Sequence, residues 1–411
     1  MKKLLAIALS LILIFTLAAC GGGNAGTPAG GDAGNNNSAP PPAGGNESPA
    51  PPPAGGNDTP APPPAGGNDT PAPPPPPAQA DGFELALITD LGTIDDRSFN
   101  QGAWEGLVQY AQENNITHKY YQPADQGDDA YLNAIDLAVQ GGAKVIVTPG
   151  FLFEVPVFEA QDRYPDVKFV LLDGTPHDGD YAVFKVGDNT VSVFYAEEQS
   201  GFLAGYAAVK DGYRSLGFLG GMAVPAVIRF GHGYVQGAEV AAQELGLPAG
   251  SITLKYYYTG VFAPQPEIQT RAASWYNEGT EVIFSCGGGI CFSIFPAAEN
   301  SGNKVIGVDG DQSGESSTVI TSAMKLLTKS VYDCLSDFYA GRFQGGKELL
   351  FSAANLGVGL PMDTSQFTTF TQAEYDAIYA KLANGTIVVD NNIEINPDQL
   401  PTTAVVVTYF S

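Results

Sequence analysis

From residue 82 onward the sequence predicts an α/β protein made of two doubly wound, parallel-sheet lobes. Short runs of β-branched and aromatic residues alternate with segments of helical apolar spacing, a pattern typical of βαβ units. The stretch from residue 82 to Ser411 exceeds the length at which one hydrophobic core usually stops growing. The predicted strands also end in polar, glycine-rich segments, and open parallel sheets bind ligands at that edge.

Residues 1–19 have the three parts of a secretory signal peptide. Lys2 and Lys3 supply the positive start, and an uncharged run follows that is too short for a comfortable transmembrane helix of about 20 residues. The run ends in Leu-Ala-Ala-Cys-Gly at Cys20, which resembles the lipobox of bacterial lipoproteins. We therefore expect a lipid on Cys20 to anchor the chain to the extracytoplasmic face of the cell membrane. An ordinary cleaved signal with a chance cysteine is the alternative.

Residues 20–81 are predicted to form a disordered tether behind the lipidated cysteine. Pro, Gly, Asn, Ala and Ser dominate, and one unit recurs with an 11-residue step that makes Asn46, Asn57 and Asn68 equivalent. The unit contains no large apolar residue, so it cannot build a packed core. Residues 82–411 are then the folded, ligand-binding part of the chain.

Composition excludes some functions. The formal net charge is −25, with only 19 basic residues, and this argues against nucleic acid because phosphate binding needs a basic surface. Beyond Cys20 there are three cysteines, Cys286, Cys291 and Cys334. Cys286 and Cys291 could pair or form half a metal site, but small buried residues near a glycine turn are the favoured interpretation. No cofactor is expected.

Seven strands and five helices are predicted in the folded part. Ser98 and Gln101 have capping-box spacing at the start of the first helix. The predicted strands cover residues 85–89, 145–148, 169–172, 216–219, 253–258, 282–285 and 305–308. The predicted helices follow Ser98 and include residues 132–139, 202–209, 234–245 and 326–339.

The ends of these strands carry residue types that suit a small polar ligand. Aspartates accept the paired hydroxyl hydrogens of a sugar diol, glycines allow close backbone approach, and phenylalanine rings stack on planar groups. Each residue alone is more typical of a turn or a core, but together on one edge they indicate a site. The candidates are Asp90, Asp96, Phe99, Asn100, Gly150, Phe151, Phe230, Phe262, Gly287, Gly288 and Asp309.

Seven motifs in order resemble one family. Residues 95–106 resemble its D-x-S-F-N-x-x-x-x-x-G stretch, and the other matches lie at residues 201–205, 217–221, 230–238, 286–289, 306–312 and 321–325. This is the basic membrane protein family, the purine-nucleoside-binding lipoproteins of ABC importers. The resemblance implies a type I periplasmic-binding-protein fold, whose two hinged lobes close on one nucleoside. Inosine, guanosine or adenosine would be the ligand, and an ABC permease with its ATPase subunits would be the partner.

The resemblance also implies a base subsite. Asp90 and Asn100 would contact the base, and Phe99 would stack on it. Either Phe230 or Phe262 would supply the second aromatic face.

A ribose subsite is implied in the same way. The Asp309 carboxylate and the Lys325 ammonium group would hold the ribose hydroxyls, with the backbone of Gly287 and Gly288 nearby. Two departures from the family's pattern bear on the ligand preference and not on the fold. Cys286 precedes the glycines, and the family's acidic residue is missing around residues 264–265.

Three alternative functions remain open. A sensor that reads the ligand without import would have the same site, and a hexose would also suit aspartates with aromatic rings. A nucleoside-cleaving enzyme is less favoured, although Asp90, Asp96 and Asp309 could be imagined as paired carboxylates. The three histidines, His118, His177 and His232, have no metal-type spacing, and no Gly-x-Ser-x-Gly elbow is present.

Overall fold

The structure is a computed structural model that describes residues 82–411. The predicted signal peptide, the lipidated Cys20 and the repeat-containing tether lie outside the described residues. Within residues 82–411, no helix combines the length and the apolar character needed to cross a membrane.

Strands and helices alternate along most of the described chain. The strands are β1 (Leu85–Ile88), β2 (His118–Tyr121), β3 (Val145–Pro149), β4 (Lys168–Leu172), β5 (Thr190–Tyr195), β6 (Ser215–Gly220), β7 (Ile252–Tyr258), β8 (Val282–Cys286), β9 (Lys304–Asp309), β10 (Val319–Lys325), β11 (Lys347–Phe351), β12 (Val358–Gly359) and β13 (Val405–Phe410). The helices are α1 (Phe99–Glu113), α2 (Asp128–Gln140), α3 (Glu154–Arg163), α4 (Glu197–Lys210), α5 (Pro225–Glu244), α6 (Pro266–Asn277), α7 (Cys291–Ser301), α8 (Leu327–Tyr339) and α9 (Gln372–Ala383).

The strands form two sheets, which define two lobes. The first lobe has a six-stranded sheet in the order β11-β5-β4-β3-β1-β2, and all of its pairs are parallel. The second has a seven-stranded sheet in the order β12-β10-β9-β8-β6-β7-β13, in which only the β10–β12 pair is antiparallel. The predicted fold class, two parallel-sheet α/β lobes, is confirmed. The chain passes between the sheets after β5, after β10 and after β11.

Burial explains which strands the sequence pattern found. All four residues of β1 are buried, with Leu85 and Leu87 facing one core cluster and Ala86 and Ile88 facing another. Parallel strands covered on both faces are nearly continuous apolar runs, and six of the seven predicted strands are of this kind. The seventh, β7, alternates between buried and more exposed residues. The pattern missed β2, an edge strand of sequence His-Lys-Tyr-Tyr, whose side chains are exposed or half-buried.

Two helices of the second lobe, α4 and α5, pack unusually closely, and α5 carries residues of the cleft described below. A Cβ at Gly201 of α4 would lie 2.0 Å from the Phe230 carbonyl oxygen, and one at Gly233 of α5 would lie 2.0 Å from that of Glu198. Only glycine permits such an approach, because any side chain would collide with backbone. The contact places the start of α4 directly against the first turns of α5.

Candidate functional site

A cleft between the two sheets contains all twelve residues predicted for the site. It encloses about 890 Å³, within the range of roughly 300–1,000 Å³ that is typical of small-molecule pockets. The carboxyl ends of β1, β3 and β4 form one wall, and those of β6, β8, β9 and β10 form the other. The twelve residues are Asp90, Asp96, Phe99, Asn100, Gly150, Phe151, Phe230, Phe262, Gly287, Gly288, Asp309 and Lys325.

Asp90 and Asn100 form a hydrogen-bonded pair at the end of β1. The Asn100 side-chain amide donates to Asp90 Oδ1 at 2.9 Å, and the Gly92 backbone donates to the same oxygen at 3.0 Å. Burial raises the pKa of Asp90 from 3.8 to about 6. The other oxygen, Oδ2, lies so close to Gly150 that a Cβ there would be only 2.8 Å away. Gly150 also has φ of +114°, a conformation that favours glycine. The second amide hydrogen of Asn100 goes to Asp96 Oδ2 at 2.9 Å, so the pair presents oxygen acceptors to the cleft.

Asp96 caps helix α1, and this corrects the capping box predicted for Ser98 and Gln101. Asp96 Oδ1 accepts from the Ser98 and Gln101 backbone at 2.9 and 3.1 Å, and Oδ2 accepts from the Asn100 backbone at 3.0 Å. The Ser98 side chain makes no capping hydrogen bond. An aspartate two residues earlier outcompetes the serine because its two oxygens reach three backbone donors. Asp96 therefore lines the cleft with both oxygens already occupied.

Lys325 is the centre of a buried group of charges. Its ammonium group pairs with Asp173 and lies 3.1 Å from Glu197 Oε1, while Arg229 Nε donates to the other Glu197 oxygen at 2.6 Å. Burial opposes the ammonium charge, but Asp173, Glu197 and Asp309 outweigh it and raise the pKa of Lys325 above its usual range. The lysine is therefore charged at every physiological pH.

Aromatic rings surround the same ammonium group. Lys325 Nζ lies 4.9 Å from the centre of the Phe99 ring, 5.2 Å from that of Tyr195 and 5.5 Å from that of Phe230. Phe230 is fully buried against Phe284, whereas Phe262 is only partly buried and lines the cleft. The geometry thus favours Phe262 over Phe230 as an aromatic face that a ligand can reach.

Asp309 lies at the end of β9 in a strained backbone conformation, with φ of +64°. Ser98 Oγ donates to its Oδ2 at 2.5 Å, so this bond joins the two lobes. Burial raises the pKa of Asp309, and both Lys325 and the Ser98 hydroxyl oppose that rise. Lys325, the other residue predicted to hold the ribose hydroxyls, pairs with Asp173 and Glu197.

Several residues of the cleft and of its charge cluster were missed by the sequence analysis. Asp173 follows β4, so the strand-end rule already pointed to it. Glu197, the first residue of α4, is fully buried and holds Lys325 and Arg229 without lining the cleft. No sequence pattern pointed to Arg229, because its hydrogen bond to Glu197 depends on the close approach of α4 and α5 at their glycines. Tyr181 and Phe184 lie in a loop at the mouth of the cleft and are 67% and 55% exposed.

The three cysteines of the folded part are free and buried. This confirms that Cys286 and Cys291 are small buried residues, and no pair of them forms a disulfide in residues 82–411. Burial raises the pKa of Cys291 to about 12, which leaves its thiol protonated and unreactive.

Two α/β lobes with a polar, aromatic-lined cleft between their strand ends define a substrate-binding protein of the periplasmic-binding-protein fold. A family model described as "ABC transporter substrate-binding protein PnrA-like" matches residues 83–393. The chain therefore belongs to this family, Bmp, whose members are extracytoplasmic substrate-binding proteins of ABC transporters. Strand β13 lies beyond the matched residues.

Relatives and solved structures agree with this assignment. An "ABC transporter nucleoside-binding protein BmpA" of Lactococcus lactis is 31% identical over 68% of this chain and 82% of the relative. "Basic membrane protein A1" of Borrelia garinii is 28% identical over 76% of this chain and 89% of the relative. A solute-binding protein of an ABC transporter system from Conexibacter woesei superposes with a TM-score of 0.61 at 22% identity, covering 75% of this chain and 99% of that one. At that identity, the superposition shows the fold alone.

Proposed function

We propose that this protein captures a purine nucleoside between its lobes and delivers it to an ABC permease and its ATPase subunits. The observation that carries the proposal is the convergence of twelve residues, widely separated in sequence, on one cleft of suitable size. The name of the Lactococcus lactis relative, a nucleoside-binding protein, supports the ligand class. Inosine, guanosine and adenosine are the candidate ligands.

The base would lie against the first lobe. Asp90 and Asn100 offer carboxylate and amide oxygens side by side as acceptors, which suits the N–H groups on the edge of a purine, while both amide hydrogens of Asn100 go to Asp90 and Asp96. Phe99 would cover one face of the base and Phe262 the other, because both rings line the cleft from opposite lobes. Gly150 leaves space for the Asp90 carboxyl group, and Phe151 closes the same side.

The ribose would lie against the second lobe. The Asp309 oxygen that is not bonded to Ser98 can accept ligand hydroxyl hydrogens, and Lys325, which is paired with Asp173 and Glu197, can donate a further hydrogen bond to the ligand. Bonds to charged groups are stronger than neutral ones, and lobe closure would shield them from water. Gly287 and Gly288 allow the ligand to approach the backbone closely.

We further propose that a lipid on Cys20 holds the protein on the extracytoplasmic face of the cell membrane. The lipobox resemblance and the uncharged run before it support this anchor. Residues 20–81 would then be a tether that lets the folded part reach both free ligand and permease.

Competing functions make different demands on the cleft. A hexose could use the same aspartates and rings, so the choice of a nucleoside is supported by the name of the Lactococcus lactis relative. A nucleoside-cleaving enzyme needs a group that acts on the glycosidic bond. We therefore propose binding without catalysis. A sensor lipoprotein would bind the same ligand, and only loss of uptake on gene deletion separates it from an importer.

Calorimetry on the purified folded part tests the proposal. We expect inosine, guanosine or adenosine to bind far more tightly than free ribose, glucose or the free base, since each fragment fills only one subsite. Native mass spectrometry of the same preparation should reveal a co-purified nucleoside. Tighter binding of a hexose than of any nucleoside would contradict the proposal, and release of free base during incubation would indicate an enzyme.

A further inference from the structure

Ser98 occupies the position before helix α1, yet it does not cap that helix. Asp96 supplies the cap, so the Ser98 hydroxyl is available for another partner. That partner is Asp309 Oδ2, 2.5 Å away in the other lobe and 211 positions further along the chain. Both side chains are buried, with 2% of Ser98 and 8% of Asp309 exposed. A buried bond across the lobes indicates a role beyond local structure.

The bond determines which oxygen of Asp309 faces the cleft. Among residues 82–411, Ser98 is the one side chain that donates to this carboxylate, and its hydrogen bond goes to Oδ2. Oδ1 accepts none, although Asp309 lines the cleft. Lys325 does not orient the Asp309 carboxylate in place of Ser98, because its ammonium group pairs with Asp173 and Glu197.

A second contact across the lobes holds the Ser98 segment in place. Gln312, fully buried beyond β9, donates from Nε2 to the Arg97 carbonyl oxygen at 2.9 Å. Arg97 and Asp309 both have positive φ, 57° and 64°, so two strained residues meet where the lobes touch. Strain of this kind persists where the surroundings enforce it, and it is concentrated at functional sites.

We propose that Ser98 is a positioning residue for ligand binding: its hydroxyl fixes the Asp309 carboxylate so that Oδ1 meets the hydroxyl groups of the ligand. The inference rests on the proposed function, since the hydroxyls are those of a ribose. The serine of the Asp-Arg-Ser-Phe-Asn segment would therefore serve the ribose-binding Asp309 of the opposite lobe, and it would have no part in capping α1.

The experiment compares guanosine with 2′,3′-dideoxyguanosine, which lacks the diol. Ser98→Ala should weaken guanosine binding about tenfold, the value of roughly one hydrogen bond, and leave dideoxyguanosine binding nearly unchanged. Ser98→Thr keeps the hydroxyl and should recover most of the loss. In a double-mutant cycle, Ser98→Ala should cost nothing further once Asp309 is alanine.

Thr371→Ala is the matched control. Thr371 caps α9 in a capping box and does not line the cleft, so its loss should lower the melting temperature without changing the preference for the diol. If Ser98→Ala weakens both nucleosides equally, or behaves like Thr371→Ala, the positioning role is wrong.

A measurement without ligand separates this inference from the proposed function. The Asp309 carboxyl group, followed by carbon-13 NMR, should titrate at higher pH in Ser98→Ala, because the serine hydrogen bond lowers its pKa. Lys325 also lowers this pKa, whereas Asp96 and Glu197 raise it, and the variant leaves all three in place. An unchanged Asp309 pKa would overturn the inference, whereas failure of guanosine to bind the parent protein would overturn only the proposed function.

Discussion

At the scale of residues, the cleft is organised by pairs of charges rather than by isolated ones. Lys325 and Arg229 are both bound to Glu197, and Lys325 is also bound to Asp173. Burying a charge without a partner costs several kcal/mol, so removal of one member leaves the others destabilised. Asp309 differs, because its bond to Ser98 is with a neutral group. It can therefore be changed with less damage to the rest of the cluster.

Asp309→Ala should weaken guanosine binding by about 2–4 kcal/mol, the value of one or two hydrogen bonds to a charged group. Asp309→Asn keeps the shape and some of the bonding, so it should lose less. Calorimetry measures both, and free guanine is the control because it lacks the diol and should bind all three proteins alike. Unchanged guanosine affinity in Asp309→Ala would refute the ribose clamp.

Asp90 gives a prediction about pH. Burial raises its pKa from 3.8 to about 6, so the folded protein binds this proton more tightly than the unfolded chain does. The ionised carboxylate thus destabilises the fold, increasingly as pH rises from about 4 to about 6 and constantly above that. Asp90→Asn should therefore melt above the parent at pH 7, with a gap that shrinks towards pH 4.

Thermal unfolding across this pH range measures that gap. Asp166→Asn is the control, since Asp166 is exposed and no cleft group contacts it. A gap that is the same at pH 4 and pH 7 would show that the ionised Asp90 carboxylate is not destabilising.

At the scale of elements, the sequence predicted the strands that a local apolar pattern encodes, and it missed the contacts that depend on neighbouring elements. Most buried parallel strands were found because their apolar runs do not depend on context, and their polar ends located the cleft. Buried β5 and β10 were missed, since serine and threonine interrupt their apolar runs. The capping box predicted for Ser98 was wrong, because Asp96 has two carboxylate oxygens and accepts the backbone hydrogen bonds at the start of α1. The role of Arg229 was invisible, because only the approach of α5 to α4 brings it to Glu197.

Gly233→Ala tests that approach. A Cβ there would lie 2.0 Å from a backbone carbonyl oxygen of α4, so the helices must separate. Overpacking typically costs about 1–3 kcal/mol, more than alanine gains in helix propensity. Chemical denaturation should show a loss in this range. Gly314→Ala, where a Cβ would meet nothing within 4 Å, is the control and should unfold like the parent.

At the scale of the whole molecule, the chain combines a folded receptor with an N-terminal segment of a different physical character. The pairs Ser98–Asp309 and Lys325–Asp173 each join one lobe to the other, so the cleft is completed only when the two sheets face each other. No local pattern predicts such pairs, because their members are more than 150 positions apart. The resemblance to the family pointed to Asp309 and Lys325, but it did not identify Ser98 and Asp173 as the residues to which they are bonded.

Deleting residues 35–78 should leave nucleoside affinity and melting temperature unchanged. The repeats contain no large apolar residue that could pack on the lobes, so the folded part should be indifferent to their length. Calorimetry and thermal unfolding of the shortened protein test this. A clear fall in stability would show that the tether packs on the folded part.

Cys20→Ala should release the protein from the membrane or leave it uncleaved, because only the Cys20 thiol can accept the lipid that we propose as the anchor. Two acyl chains hold a protein stably on a bilayer, and a single one is marginal, so loss of the attachment site should shift most of the protein out of the membrane fraction. Cys334→Ala is the matched control, since this cysteine is buried in α8 and should not affect anchoring. Fractionation followed by immunodetection separates the outcomes. If Cys20→Ala stays in the membrane at the parent's level and is cleaved normally, the alternative of an ordinary signal peptide, with attachment by other means, replaces the lipid anchor.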